Sequence, residues 1–271
     1  MGTKLIKTIK RYASVYAIFL RYRTMMMATY RISFFIEFVI EIGYVVWIII
    51  FFNVILYNIN GIAGWSRSEV MFLIGLSIIF GELMTGLVYV WNTRIIPEKV
   101  QSGEMDFALV KPINTQFLLT ASQIYPSSFI AVFVGFFVVA QTLPEVASAI
   151  TIVSLITGTL IFICALVIGY CILTILSSLT IVFIGADFLT RISFNLFYFG
   201  SRPHQIYFGV LKFIFFLIIP VVFLASVPAD VILRGGSLWY LPLAMIVATA
   251  FFILTKIIWE QMIARYSSAS S

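Results

Sequence analysis

An all-α integral membrane protein is the fold class this sequence predicts, and three observations predict it. Hydrophobic residues fill 62% of the chain and charged residues only 10%, where a soluble globular domain carries roughly 45–50% and about 25%. The apolar residues come in continuous runs of membrane-crossing length, about 20 residues each, without the alternation of a transmembrane barrel. The basic residues gather in the segments beside those runs. Lipid offers no water to bare backbone groups, so only helices and closed barrels cross it, and continuous runs select helices.

Length sets the next limit. The 271 residues hold roughly five to seven crossings of about 20 residues, which leaves almost nothing for a soluble domain and excludes a built-in ATPase. Neither a GxxxxGK[S/T] phosphate loop nor an HExxH zinc helix occurs, and the single histidine, His204, makes no histidine cluster. Where transport requires energy, another chain is expected to supply it. The net charge of +6 reads as a topology signal and not as a nucleic-acid footprint. Cys164 and Cys171 share one run, about 10 Å apart along a helix, and are expected to pack without bridging.

Taken in order, residues 1–31 carry Lys4, Lys7, Lys10, Arg11, Arg21, Arg23 and Arg31, with no apolar core and cleavage site of a signal peptide behind them. Leu5, Ile9, Tyr12, Tyr16 and Phe19 form one stripe and Lys4, Lys7, Arg11 and Arg21 a second, the pattern of an amphipathic helix lying in the interface on the cytoplasmic side. Six apolar runs follow, at about 33–56, 70–92, 117–141, 148–183, 206–226 and 238–258, which returns the C-terminus to the cytoplasm. Arg94, Lys99, Lys111, Arg191, Arg202 and Arg265 then fall inside, against Arg67 and Arg234 outside, as the positive-inside rule requires. Two runs resist this scheme. Run 148–183 would exceed about 50 Å as one helix against a hydrocarbon core of roughly 30 Å, so it must tilt, protrude or fold back. Pro203, Pro220 and Pro228 interrupt 188–234, which leaves 206–226 as either a full span or a broken, partly re-entrant pair of short helices.

Acids inside apolar runs are costly and draw the eye to Glu37, Glu41 and Glu82. Glu37 lies about one turn into its helix, where it pairs with Arg31 or reaches the headgroups. Glu41 and Glu82 lie deeper and call for a helix partner, a polar cavity or a proton; for Glu82 structural pairing and lining of a pathway stand side by side. Lys212 and Asn195 fall in the ambiguous stretch. Ser77 with Gly81 and Ala165 with Gly169 have the small-xxx-small spacing of close helix contacts. Trp47, Trp65, Trp91, Trp239 and Trp259 mostly fall near predicted span ends and read as interface anchors. His204 has no nucleophile or acid at recognisable spacing, so no catalytic site is expected.

The densest charge lies between the second and third runs, in EKVQSGEMDFALVKPINTQF, Glu98 to Phe117. Pro97 suits a first helical turn, Glu98, Glu104 and Asp106 flank Lys99, Gly103 is placed to break the helix, and Lys111 and Pro112 lead back toward the membrane. This stretch resembles a segment of bacterial ABC exporter permeases of the type-two class, "I-x-x-G-x-(L/M)-D-x-x-L-x-K-P-x-x-x-x-F", at Gly103, Asp106, Leu109, Lys111, Pro112 and Phe117. A second stretch, Phe199-Gly-Ser-Arg-Pro-His-Gln-Ile-Tyr followed by Ile218-Ile-Pro-Val-Val-Phe and Val227-Pro-Ala, is similar to another region of those permeases, with Val222 in place of the usual alanine and Phe208 where proline is common.

The resemblance covers nearly the whole chain. It implies an interfacial elbow helix over 1–31, a transmembrane domain over 32–260 with a cytoplasmic coupling loop at 94–116, and a cytoplasmic tail over 261–271. It further implies six transmembrane helices with re-entrant helices before the last, which favours the broken reading of 203–234 and moves the fifth span to about 186–202. The expected function is that of a half-transporter in the bacterial cytoplasmic membrane, both termini inside. It exports an amphipathic or lipid-like cargo as a dimer with an identical or homologous permease. Two copies of a separate ATPase bind the ATP and Mg, and this chain holds no cofactor, metal or nucleic acid. Glu98, Gly103, Glu104, Asp106, Lys111 and Pro112 are the expected coupling residues. A different class of reading, an ion-coupled secondary transporter or channel, would use Glu41 and Glu82; a third is a non-transporting scaffold subunit.

Overall fold

The computed structural model describes residues 2–59, 61–89, 95–122, 124–183, 187–237 and 239–267. Trp91 and Arg94, and the side chains of Lys4, Lys7 and Arg31, lie outside the described residues. Among those described, the chain is helical apart from one two-residue hairpin, Gly61–Ile62 paired antiparallel with Trp65–Ser66. Five helices are long and apolar enough to cross a membrane.

Helix α1 spans Gly2–Thr29 and α2 spans Arg31–Asn58, with a break at Tyr30. After the hairpin, Ser66 opens α3, Arg67–Met84, with a capping box: its hydroxyl accepts from the Glu69 N–H while Glu69 accepts from the Ser66 N–H. The helix then widens into one π-helical turn, Thr85–Tyr89. Its Gly86 carbonyl accepts from the Tyr125 N–H at 3.0 Å, so the turn is tied to the chain entering the next span.

Three short helices follow: α4, Ile96–Gln101; α5, Met105–Leu109; and α6, Thr115–Ala121. The expected third span, 117–141, is corrected here, because α7 starts at Pro126 and runs to Val146. Proline has no N–H to donate and pushes Tyr125 out of the helical region, so α6 and α7 cannot be one helix. The long run 148–183 becomes α8, Ile152–Leu179, capped by Thr151. At about 42 Å it still outruns the hydrocarbon core, and its last residues pack with α4 and α5.

The region 206–226 is broken, not a continuous span. Helix α9, Asp187–Gly200, ends at the 3₁₀ turn His204–Ile206; α10, Gly209–Phe213, runs into the π turn Ile214–Ile218; Val221–Phe223 is 3₁₀ again; and α11 is Ser226–Arg234. Pro203, Pro220 and Gly209, whose φ is +57°, stand at the interruptions, while Pro228 lies in the first turn of α11, where its missing N–H is tolerated. Residues 220–233 are buried throughout, so this stretch is apolar because protein covers it. Finally α12, Tyr240–Ala264, packs along α8.

Helix α3 lies closest to α7. A Cβ added at Gly75 would come within 3.1 Å of the Gly135 carbonyl oxygen, and one at Gly135 equally close to that of Gly75. Of the small pairs expected from spacing, Gly169 does receive Phe80 and Met84, whereas Gly81 faces open space. Three cores result. One gathers Trp65, Leu73, Ala229 and Leu233 at the hairpin end; one fills the middle with Phe80, Ile168, Phe216 and Phe223; and one holds Ile96, Met105, Trp259 and Met262 at the opposite end.

Candidate functional site

Residues 95–122 form a compact, braced projection. Ile96, Pro97 and Val100 of α4 and Met105 and Ala108 of α5 turn inward onto Leu119, Ile181, Trp259 and Met262, so the two short helices rest on the ends of α8 and α12. Gly103 between them has φ +75°, a left-handed conformation that a side chain with a Cβ resists. Lys99 Nζ lies 2.9 Å from Glu104 Oε2, and this pairing holds the exposed Glu104 carboxyl below its usual range. Glu98, Lys111 and Pro112 are exposed and Asp106 is half-buried.

Helix α1 closes the other side. Arg11 donates to the Pro112 carbonyl at 2.7 Å, the Tyr12 hydroxyl accepts from the Asn114 N–H at 3.4 Å, and the Tyr12 and Phe117 rings meet edge to face at 4.6 Å. Asn114 caps α6 by accepting from the Phe117 N–H. Beside the exposed charged residues, two large apolar side chains on this projection stay uncovered: Phe107 is 70% exposed and Val110 80%. Neither was singled out from sequence, where one more Phe among 27 carries no signal.

The second feature is a cavity of about 250 Å³ between α2, α3, the end of α9 and Leu224–Ala225. Glu82 lines it, only 6% exposed. Its Oε2 receives no hydrogen bond from any donor among the described residues, while Glu41 on α2 lies within hydrogen-bonding reach. The Tyr44 and Tyr198 hydroxyls meet at 2.6 Å across the cavity wall. Glu37, by contrast, is exposed on α2.

Residues 42–270 match the family described as ABC-2 family transporter protein, a range that contains both stretches carrying the resemblance. The chain belongs to that family. No curated protein and no solved structure matches it. Members are membrane components of ABC transporters, and membership implies an ATPase on a partner chain.

In this ABC-2 permease the broken region forms a cap over the hairpin end. Arg234, in the last turn of α11, makes a two-pronged pair with Glu69 at 2.8 and 2.7 Å, reaches the Gly64 carbonyl at 2.8 Å, and stacks 4.9 Å from the Trp65 ring. Trp65 is buried and donates to Gln205, which in turn donates to Asp230. It is therefore a structural member of the cap and not the interface anchor its position suggested. Trp47 likewise lines the cavity at mid-helix, while Trp259 is buried among the short helices. Cys171 is buried and Cys164 half-buried, both as free thiols. Asn195 sits on the exposed side of α9, and the Lys212 ammonium lies 6.0 Å from the Phe216 ring.

His204 is the permease's buried titratable cap residue. Its N–H donates to the Ser226 hydroxyl at 2.7 Å, and its ring lies 3.2 Å from that hydroxyl and 3.3 Å from the Tyr240 hydroxyl. Burial, with Lys212 and Arg234 adding repulsion, pushes it down to about 4 from 6.5. A lowered folded value means that the neutral ring's contribution is full above the unfolded value and is lost as pH falls through the folded one. Thermal unfolding in detergent is expected to shift to lower temperature between pH 7 and pH 5, and His204→Gln is expected to flatten that slope.

Proposed function

We propose that this chain is the transmembrane half of an ATP-driven exporter, in which residues 94–116 seat in a groove of the ATPase and pass its closure into the spans. The observation that carries this reading is the projection itself. A part that transmits force must be stiff and must present a contact, and here α4 and α5 rest on the ends of α8 and α12, α1 holds the segment that follows them at Pro112, and Phe107 and Val110 stand uncovered. Exposed apolar side chains rimmed by Glu98, Glu104, Lys111 and Pro112 are the composition of a docking patch with a dry centre and a polar rim. Gly103 and Pro112 set the turn and exit angles, and Asp106 with the charged residues supplies polar contacts.

The same geometry supports six crossings with both termini on the cytoplasmic face. Helix α1 touches Pro112 and Ser122, and the end of α12 packs on α4 and α5, so the chain starts and finishes at one end of the molecule. An even number of passes then requires α9, about 21 Å long, as the fifth, with 203–234 dipping in and out as the cap. Residues 1–31 would form the interfacial elbow, 32–260 the transmembrane domain and 261–271 the tail. The working unit is a dimer of permeases, identical or homologous, with two ATPase copies that bind ATP and Mg, and the cargo is amphipathic or lipid-like.

Purifying the intact chain from its native host in mild detergent tests this. An ATPase recovered at about one copy per permease supports the reading. Recovery of the chain alone, under conditions that preserve other ABC complexes, favours ion coupling through Glu41 and Glu82.

A further inference from the structure

The intramembrane cavity carries an unbalanced charge design. Glu82 is 94% buried by its 6% exposure, and its Oε2 meets no donor among the described residues. Its near neighbour is another acid, Glu41, and neither acid belongs to an ion pair among the described residues. Buried polar groups are ordinarily partnered, and an acid at membrane depth without a basic partner marks a place for a proton or a cation.

The rest of the wall says which. Tyr44, Trp47, Phe51, Phe52 and Phe80 line the cavity around Glu82, and aromatic faces attract an organic cation as well as an apolar body. Trp47, Phe51 and Tyr198 line the cavity and are themselves exposed, so it opens at the surface on their side. Gly81 leaves open space beside the acid, since a Cβ added there meets nothing within 4 Å. Arg202 also lines the cavity but forms no ion pair with Glu82 among the described residues, so its charge repels a cationic head while the acid attracts it. A neutral or anionic guest would bury the acid further without compensating it.

We propose that this cavity is a cargo site and that it takes an amphipathic cation, with the charge on Glu82 and the apolar body on the aromatic wall. The proposal rests on the exporter reading and names the cargo class within it.

The test is equilibrium binding of radiolabelled tetraphenylphosphonium to the full chain in phosphatidylglycerol nanodiscs, without nucleotide. Saturable binding is expected, weakened at least about tenfold by Glu82→Gln, a loss of roughly one charge-assisted contact. Gly81→Leu, which keeps both acids and fills the space, is expected to weaken it comparably and decides the matter if Glu82→Gln does not fold. Tetraphenylborate, of the same shape and opposite charge, is expected not to compete. Unchanged affinity in the folded variants, the result if Glu82 and Glu41 merely share a proton for structure, overturns the proposal. Equal competition by tetraphenylborate does so too. Displacement by an added cationic lipid, dioleoyl-trimethylammonium-propane, would identify the guest as a membrane-borne cation, and persistence of binding as a soluble amphipath; both support the class. Because no ATPase is present, binding can fail while an ATPase co-purifies, or succeed while none does, so the two readings fall separately.

Discussion

Phe107→Asp is expected to release the ATPase while leaving the permease folded. Phe107 is 70% exposed on α5 and makes no part of the inner core, whose contacts from this helix come from Met105 and Ala108. Introducing a charge there therefore costs the isolated chain little. At the centre of a docking patch the same change removes an aromatic anchor and buries an unpaired carboxylate, a loss of about 2 kcal/mol or more, or roughly thirtyfold in affinity. Co-purified ATPase per permease, measured alongside the permease's own unfolding temperature, separates the two effects. Full recovery of ATPase with Phe107→Asp and Val110→Asp combined would remove this surface from the interface. Gly103→Val makes a useful companion: it disturbs only the turn between α4 and α5, so retained association with lost cargo-coupled hydrolysis would locate transmission in that turn.

Gly135→Leu is expected to be the most damaging substitution in the spans. A Cβ there already comes within 2.7 Å of an Ile79 side-chain carbon and 3.1 Å of the Gly75 carbonyl oxygen. A side-chain end can rotate away, but a helix backbone cannot, so α3 and α7 must separate along their whole contact. Overpacking of this kind costs about 1–3 kcal/mol, and the backbone clash places this case at the upper end. The thermal midpoint in detergent should fall by several degrees, whereas Gly81→Ala, in open space on the same helix, should leave it unchanged or raise it. Equal behaviour of the two variants would mean that the close approach of α3 and α7 contributes nothing.

The contrast between those glycines shows what the sequence could and could not convey. Spacing pointed to Gly81 and Gly169, but a close approach depends on which face meets which neighbour: Gly75 shares α3 with Gly81 yet has no small residue four positions away, and the Ala131–Gly135 spacing in α7 is no different from many chance pairs. The membrane class, the charged projection and the exceptional acids were legible because each is a departure from local composition. Glu82 in particular announced itself, yet its cavity did not, since α9 and Leu224–Ala225, more than 100 residues from α2 and α3, complete its wall. Hydropathy alone left 206–226 open between a full span and a broken pair of short helices. Transfer to lipid and burial under protein select the same apolar residues, and Pro203, Pro220 and Pro228 were the signs that the backbone would not run straight. Pro126 gave a comparable warning for the start of α7. Phe107 was silent for the opposite reason: an exposed aromatic is recognised by its surroundings and not by its identity.

The π turn at Thr85–Tyr89 gives the molecule a compliant joint. It stands between the acid-bearing part of α3 and the stiff projection, and it winds one residue more into its turn than the helix above. Rewinding it to ordinary helix would rotate everything beyond by about 100° while the turns above kept their register. On the exporter reading, a push from the water side would become twist at this one junction, with Glu82 on the stationary side of it. The Tyr125 N–H bound to the Gly86 carbonyl ties that junction to the start of α7, so a change of winding there would have to break this hydrogen bond or carry α7 with it.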